Sequence, residues 1–118
     1  MENGLPELKA PSEHDEQVAL CRWLRKREFF FFAVGNGGIR DAITAKRMKD
    51  EGVTAGVPDL IIILPEGKTL WVEMKRRKGG SVSKVQKDFH EKLIKLGHQV
   101  VVCKGALEAK QEIEERVS

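Results

Sequence analysis

Asp59, Glu73 and Lys75 are the residues of this chain whose types and spacing point to chemistry. Asp59 follows Pro58, and Glu73 and Lys75 are separated by one residue. The runs that carry them read as adjacent strands. Two carboxylates held a few ångströms apart repel each other unless a proton or a divalent cation lies between them, and oxygen donors of this kind suit Mg²⁺ or Mn²⁺. A lysine beside them would face whatever such a cation binds. Each fragment also has a plainer reading: Pro-Asp is a common turn dipeptide, and Glu-x-Lys on a strand can be a solvated charge pair.

The elements around these residues decide between the two readings. Leu60 to Leu64 is a short apolar, β-branched run, as expected of a buried strand, and Pro65-Glu66-Gly67 turns the chain back into a second strand from Thr69 to Lys75. With side chains alternating, Leu70, Val72 and Met74 share one face of that strand and Trp71, Glu73 and Lys75 the other. Asp59 opens the first strand and so can lie across the hairpin from Glu73. Upstream, Ser12 is suited to cap a helix running from about Glu13 to Arg27. Glu13, Asp15 and Glu16 in its first turn match the positive end of the helix dipole. Val18, Leu20, Cys21, Trp23 and Leu24 cover one broad face of this helix, and Glu13 and Gln17 lie one turn apart. Glu13 and Glu16 face different directions, and helix capping alone would account for either.

Between these elements, Glu28 to Val34 carries the aromatic run Phe29 to Phe32 and is expected to form an inner or covered strand. Gly35-Asn36-Gly37-Gly38 reads as a turn. Arg40 to Glu51 reads as a short helix stopped by Gly52, with Ala42, Ala45 and Met48 on one side. After the Lys78-Gly79-Gly80-Ser81 loop, Val85, Phe89, Leu93 and Leu96 repeat at helical spacing from Ser83 to the Gly97 stop. His90 and His98 have no ligand spacing to each other or to Cys103 and read as non-metal residues. Gln99 to Cys103 is a further buried strand, and Leu107 to Val117 a closing amphipathic helix.

The 118 residues suit one domain, 12–118, preceded by a flexible arm at 1–11. Charged residues make up 33% and the net charge is +3, so the basic bias matters only where it clusters. Lys75, Arg76, Arg77, Lys78, Lys84 and Lys87 follow one another with no acidic residue between them, which puts positive potential beside the carboxylates. Cys21 and Cys103 sit in apolar patterns without metal-ligand spacing and read as reduced, buried thiols. No apolar run approaches the roughly 20 residues of a membrane span, and the polar N-terminal stretch has no signal-peptide pattern, so a cytoplasmic protein is expected.

Taken together, Glu13-His14-x-x-Gln17, Gly56-Val57-Pro58-Asp59, Glu73-x-Lys75 and Ser83-x-x-Gln86 resemble the motifs of the VRR-NUC group within the PD-(D/E)XK nuclease superfamily. The resemblance implies an α/β fold with a central mixed sheet of about four strands flanked by helices. It implies catalytic roles for Glu13, Asp59, Glu73, Lys75 and Gln86. Mg²⁺ or Mn²⁺ would be held by Asp59, Glu73, the Met74 backbone carbonyl and Glu13, the last directly or through water. Asn36, Arg40 and Lys46 would hold the DNA backbone, and the basic run of Arg76, Arg77, Lys78, Lys84 and Lys87 would contact phosphates. No organic cofactor or membrane partner is implied. The expected activity is metal-dependent, structure-selective DNA cleavage by a homodimer acting on branched DNA such as Holliday junctions. The alternatives are a replication or repair nuclease acting on flaps or single strands, and a non-catalytic basic DNA-binding domain.

Overall fold

The computed structural model describes residues 10–34 and 41–117. Among the described residues four helices and four strands follow in the order α1 (Glu13–Lys26), β1 (Phe30–Ala33), α2 (Ala42–Asp50), β2 (Leu60–Ile63), β3 (Thr69–Lys75), α3 (Lys84–Lys95), β4 (Gln99–Lys104) and α4 (Ala106–Val117). A single 3₁₀ turn, Pro65–Gly67, joins β2 to β3. The flexible arm expected at 1–11 lies almost wholly outside the described residues, as does the turn at 35–38.

The strands form one mixed sheet in the order β1-β2-β3-β4. β1 with β2 and β2 with β3 are antiparallel, and β3 with β4 is parallel. The register follows from burial. Leu60 and Ile62 of β2, and Leu70, Val72 and Met74 of β3, are fully buried on one face against Leu20 and Leu24 of α1 and Ala109 and Ile113 of α4. Burying each large apolar side chain is worth roughly 1.5–3 kcal/mol, whereas a one-residue slip would turn that whole set outward. The core face therefore fixes which residues of β3 look the other way: Trp71, Glu73 and Lys75. On that opposite side the site residues of α3, Gln86 and His90, reach Glu73.

Both helices that carry site residues begin with a capping box. Ser12 accepts from the Asp15 N–H in α1, and Ser83 accepts from the Gln86 N–H in α3. Gly56 has a positive φ of 92°, and a Cβ there would stand 2.5 Å from the Val85 carbonyl oxygen. Glycine thus lets the loop before Asp59 lie directly on the first turn of α3.

Four expectations are corrected. β1 is an edge strand rather than an inner one, with Phe30 69% and Phe32 43% exposed, because β2 is its one neighbour among the described strands. β4 is the opposite edge and is buried on one face alone, leaving Val102 outside. Within α3, Leu93 is buried while Val85 and Leu96 are exposed, since the helix turns His90 rather than those residues inward. Cys21 is half-buried, packing at the margin of the core, whereas Cys103 is fully buried. Burial, then the charges of Glu108 and Glu112, push the Cys103 thiol up to about 12 and keep it protonated. Among the described residues no helix is long and apolar enough to cross a membrane.

Candidate active site

β2 stops at Leu60, which pairs with Val72, so the last three residues of β3 have no β2 residue opposite them. Asp59 fills that gap: its Oδ2 accepts the Met74 backbone N–H at 2.7 Å. Because the N–H and C=O of one strand residue point to the same side, the Met74 carbonyl is directed toward the Asp59 side as well. On the far side, β4 holds the strand end through the Gly105 N–H, which donates to the Lys75 carbonyl at 2.9 Å.

Glu73 is 1% exposed and is held at both oxygens. His90 Nε2 lies 3.2 Å from its Oε1, and Gln86 Nε2 donates to its Oε2 at 3.3 Å. Lys75 Nζ donates to Gln86 Oε1 at 3.0 Å and lies 4.0 Å from Glu73 Oε2. That same Gln86 oxygen accepts the Ser83 N–H at 3.0 Å, so the helix cap of α3 also sets the rotamer of the residue that orients the lysine. Burial, then the hydrogen bond and charge of Asp59, push Glu73 up to about 8; Glu13 adds to the rise and Lys75 opposes it. Burial and the Lys75 charge hold His90 below its ordinary value, against the pull of Asp59.

The two glutamates of the first α1 turn part company. Glu13 is half-buried and its charge is felt at Glu73. Glu16 is buried and turned away: its Oε2 accepts from Arg77 Nε at 2.7 Å, and its Oε1 accepts the Ala106 N–H at 3.0 Å, capping α4. Arg77, expected on DNA phosphate, is thereby drawn into an ion pair. Lys84 pairs with Asp88 at 3.3 Å and Lys46 with Asp50 at 2.8 Å, both along one helix face. Arg76, Lys78 and Lys87 are exposed and have no ion-pair partner among the described residues. Asn36 and Arg40 lie outside the described residues.

His90 is the site residue that sequence reasoning passed over. Its position four residues after Gln86, one helical turn on, was the available signal. An open concavity of about 350 Å³ lies beside the site, lined in part by Val57, Trp71 and Phe89. It contains none of the site carboxylates, so the chemistry belongs to the strand ends rather than to that hollow.

Among the described residues no group of three His, Cys, Asp or Glu side chains is disposed to enclose a metal ion alone. The donor set nevertheless fits a hard cation. Asp59 stands close enough to Glu73 to raise its pKa, a strand carbonyl is directed toward the same side, and Mg²⁺ typically takes one or two carboxylates while keeping several waters. The burial and the Asp59 carboxylate that push Glu73 up to about 8 would equally favour a cation between the two.

The sequence matches the VRR-NUC domain over residues 12–107. One solved structure, described as a VRR_NUC domain protein, is similar with a TM-score of 0.79 and 25% identity, covering 94% of this chain and 93% of its own. A second, described as a VRR_NUC domain, has a TM-score of 0.65 and 22% identity, covers 88% of this chain and 97% of its own, and bears on the fold alone. No curated protein matches.

Proposed function

The chain belongs to the VRR-NUC domain family, a nuclease-type DNA-processing domain, and from that premise we propose a metal-dependent endonuclease that nicks branched DNA as a homodimer. The observation that carries the proposal is the meeting of Asp59, Glu73 and Lys75 at the open end of β3, where Asp59 is fastened to the Met74 N–H and Lys75 Nζ lies 4.0 Å from Glu73 Oε2.

Asp59, Glu73 and the Met74 carbonyl would hold Mg²⁺ or Mn²⁺, with Glu13 reaching it directly or through water. When bound, the cation supplies a more acidic water and offsets charge on the phosphoryl and leaving 3′ oxygens. Lys75, steadied by Gln86, orients the attacking water and faces the negative charge that builds on the phosphorus-bound oxygens. In-line displacement leaves a 5′-phosphate and a 3′-hydroxyl. Arg76, Lys78 and Lys87 contact phosphates, which gives affinity without sequence reading.

A homodimer would place two sites where a four-way junction needs paired nicks. The exposed Phe30 and Phe32 on an edge strand support it, as does α2, which buries none of its residues and leaves Ile43 75% exposed. Apolar surface of this kind suits an interface.

The test is cleavage of a labelled four-way junction and a matched linear duplex by wild type and Asp59→Ala in Mg²⁺, Mn²⁺ or EDTA, with sedimentation run alongside. Metal-dependent, junction-selective cutting lost in Asp59→Ala is the expected result. Preference for flaps or single strands would reassign it to replication or repair. Binding without cutting in any metal would leave a basic DNA-binding domain.

A further inference from the structure

The geometry points to His90 as a positioning residue of the metal site: its imidazole holds one oxygen of Glu73 while Gln86 holds the other, fixing how that carboxylate is presented to the cation. The inference rests on the nuclease reading above and extends it to a residue outside the motif set.

His90 and Gln86 stand one turn apart on α3 and direct their Nε2 atoms at the two oxygens of a single carboxylate, at 3.2 and 3.3 Å. His90 and Glu73 are 7% and 1% exposed, so water does not compete freely for these bonds. A carboxylate has about four lone-pair positions. Two of them are taken from the α3 side, which leaves those facing Asp59 for the proton or the cation. A carboxylate hydrogen-bonded at both oxygens cannot swing between one-oxygen and two-oxygen ligation without breaking a buried bond, and hydrogen bonds of this kind behind a metal ligand typically affect metal affinity or activity by about 10–100-fold. Asp59, Lys75 and Glu13 are the charged groups felt at this cluster.

The experiment measures Mn²⁺ binding by calorimetry in the absence of DNA, together with junction binding in EDTA, thermal melting, and the kcat and apparent metal KM of cleavage. The variants are His90→Phe and His90→Leu, which fill the space without a donor, and His90→Gln, which restores one. The expected result is about tenfold weaker Mn²⁺ binding and a raised metal KM in the Phe and Leu variants. DNA binding should be unchanged, and His90→Gln should recover at least part of the affinity. Unchanged Mn²⁺ affinity in folded Phe or Leu variants would overturn the assignment while leaving the nuclease intact. Unfolding of both with His90→Gln still folded would also overturn it, by showing that the bond serves stability instead. Wild-type protein that neither binds Mn²⁺ nor cuts would remove the nuclease reading and this inference with it.

Discussion

Asp59 Oδ2 accepts a hydrogen bond from the Met74 backbone N–H at 2.7 Å, so the aspartate at the start of one strand is fastened to the residue lying between Glu73 and Lys75 on the next. That bond anchors Asp59 next to the strand that carries Glu73, and it separates the structural from the chemical part of Asp59. Asp59→Asn keeps an acceptor oxygen for Met74 and should fold like wild type while losing cleavage. Asp59→Ala leaves the N–H without its partner and should lose cleavage together with about 1–3 kcal/mol of stability. Urea unfolding set beside the cleavage assay checks both; equal stability of the two variants would remove the anchoring role.

Lys75 is buried and held by Gln86 at the carboxylates, so it meets the reacting phosphate alone and adds little to the hold that the exposed Arg76, Lys78 and Lys87 have on the rest of the backbone. Lys75→Ala should therefore bind junction DNA almost as wild type and cut it at least 100-fold more slowly, in the range that loss of one preorganised donor produces. Equal loss of binding and cutting would contradict that role.

The two glutamates of α1 should give opposite phenotypes. Glu16→Gln weakens the ion pair to Arg77 and should lower stability, by an amount of the order of 1–3 kcal/mol, with slower cleavage only in proportion to unfolded protein. Glu13→Gln should melt normally and show a higher Mg²⁺ requirement. Melting curves and metal titrations of both variants would reverse the assignment if the pattern came out exchanged.

The raised pKa of Glu73 makes metal-free stability depend on pH. Its ordinary value is 4.5 and the folded chain pushes it up to about 8, so between those values the folded state holds a proton that the unfolded chain releases. The stability slope follows protons bound unfolded minus folded, which is negative here. This group's contribution is complete below about 4.5 and is lost as pH rises through about 8. Melting in EDTA should show a downward slope across that window that Glu73→Gln flattens. Added Mg²⁺ should raise the melting temperature more at pH 8 than at pH 5, because at the lower pH it must displace the proton. A pH-independent difference between wild type and Glu73→Gln would refute the raised pKa.

Much of the site was legible in the residues because its geometry is local. Alternation along Thr69–Lys75 places Glu73 and Lys75 together, and the apolar alternate set of Leu70, Val72 and Met74 tells which face is core. Ser12 and Ser83 mark the starts of the two helices that carry Glu13 and Gln86. Asp41, which caps α2 through the Thr44 N–H, is a start signal that the apolar spacing does not show, and the helix expected from Arg40 begins two residues later, at Ala42.

What the sequence by itself determined, then, is the hairpin, the face on which each of its side chains lies and the helix starts, all governed by interactions within a few residues. Tertiary structure decided the rest. Glu16 is taken from the site by Ala106, 90 residues away, and His90 is brought to Glu73 across 17. β1 is left at an edge with Phe30 and Phe32 outward, although its composition suits an inner strand. Periodicity shows which residues share a face, but the partner that covers that face comes from distant chain, and it is selected by packing and by the need to satisfy buried charges and backbone N–H groups.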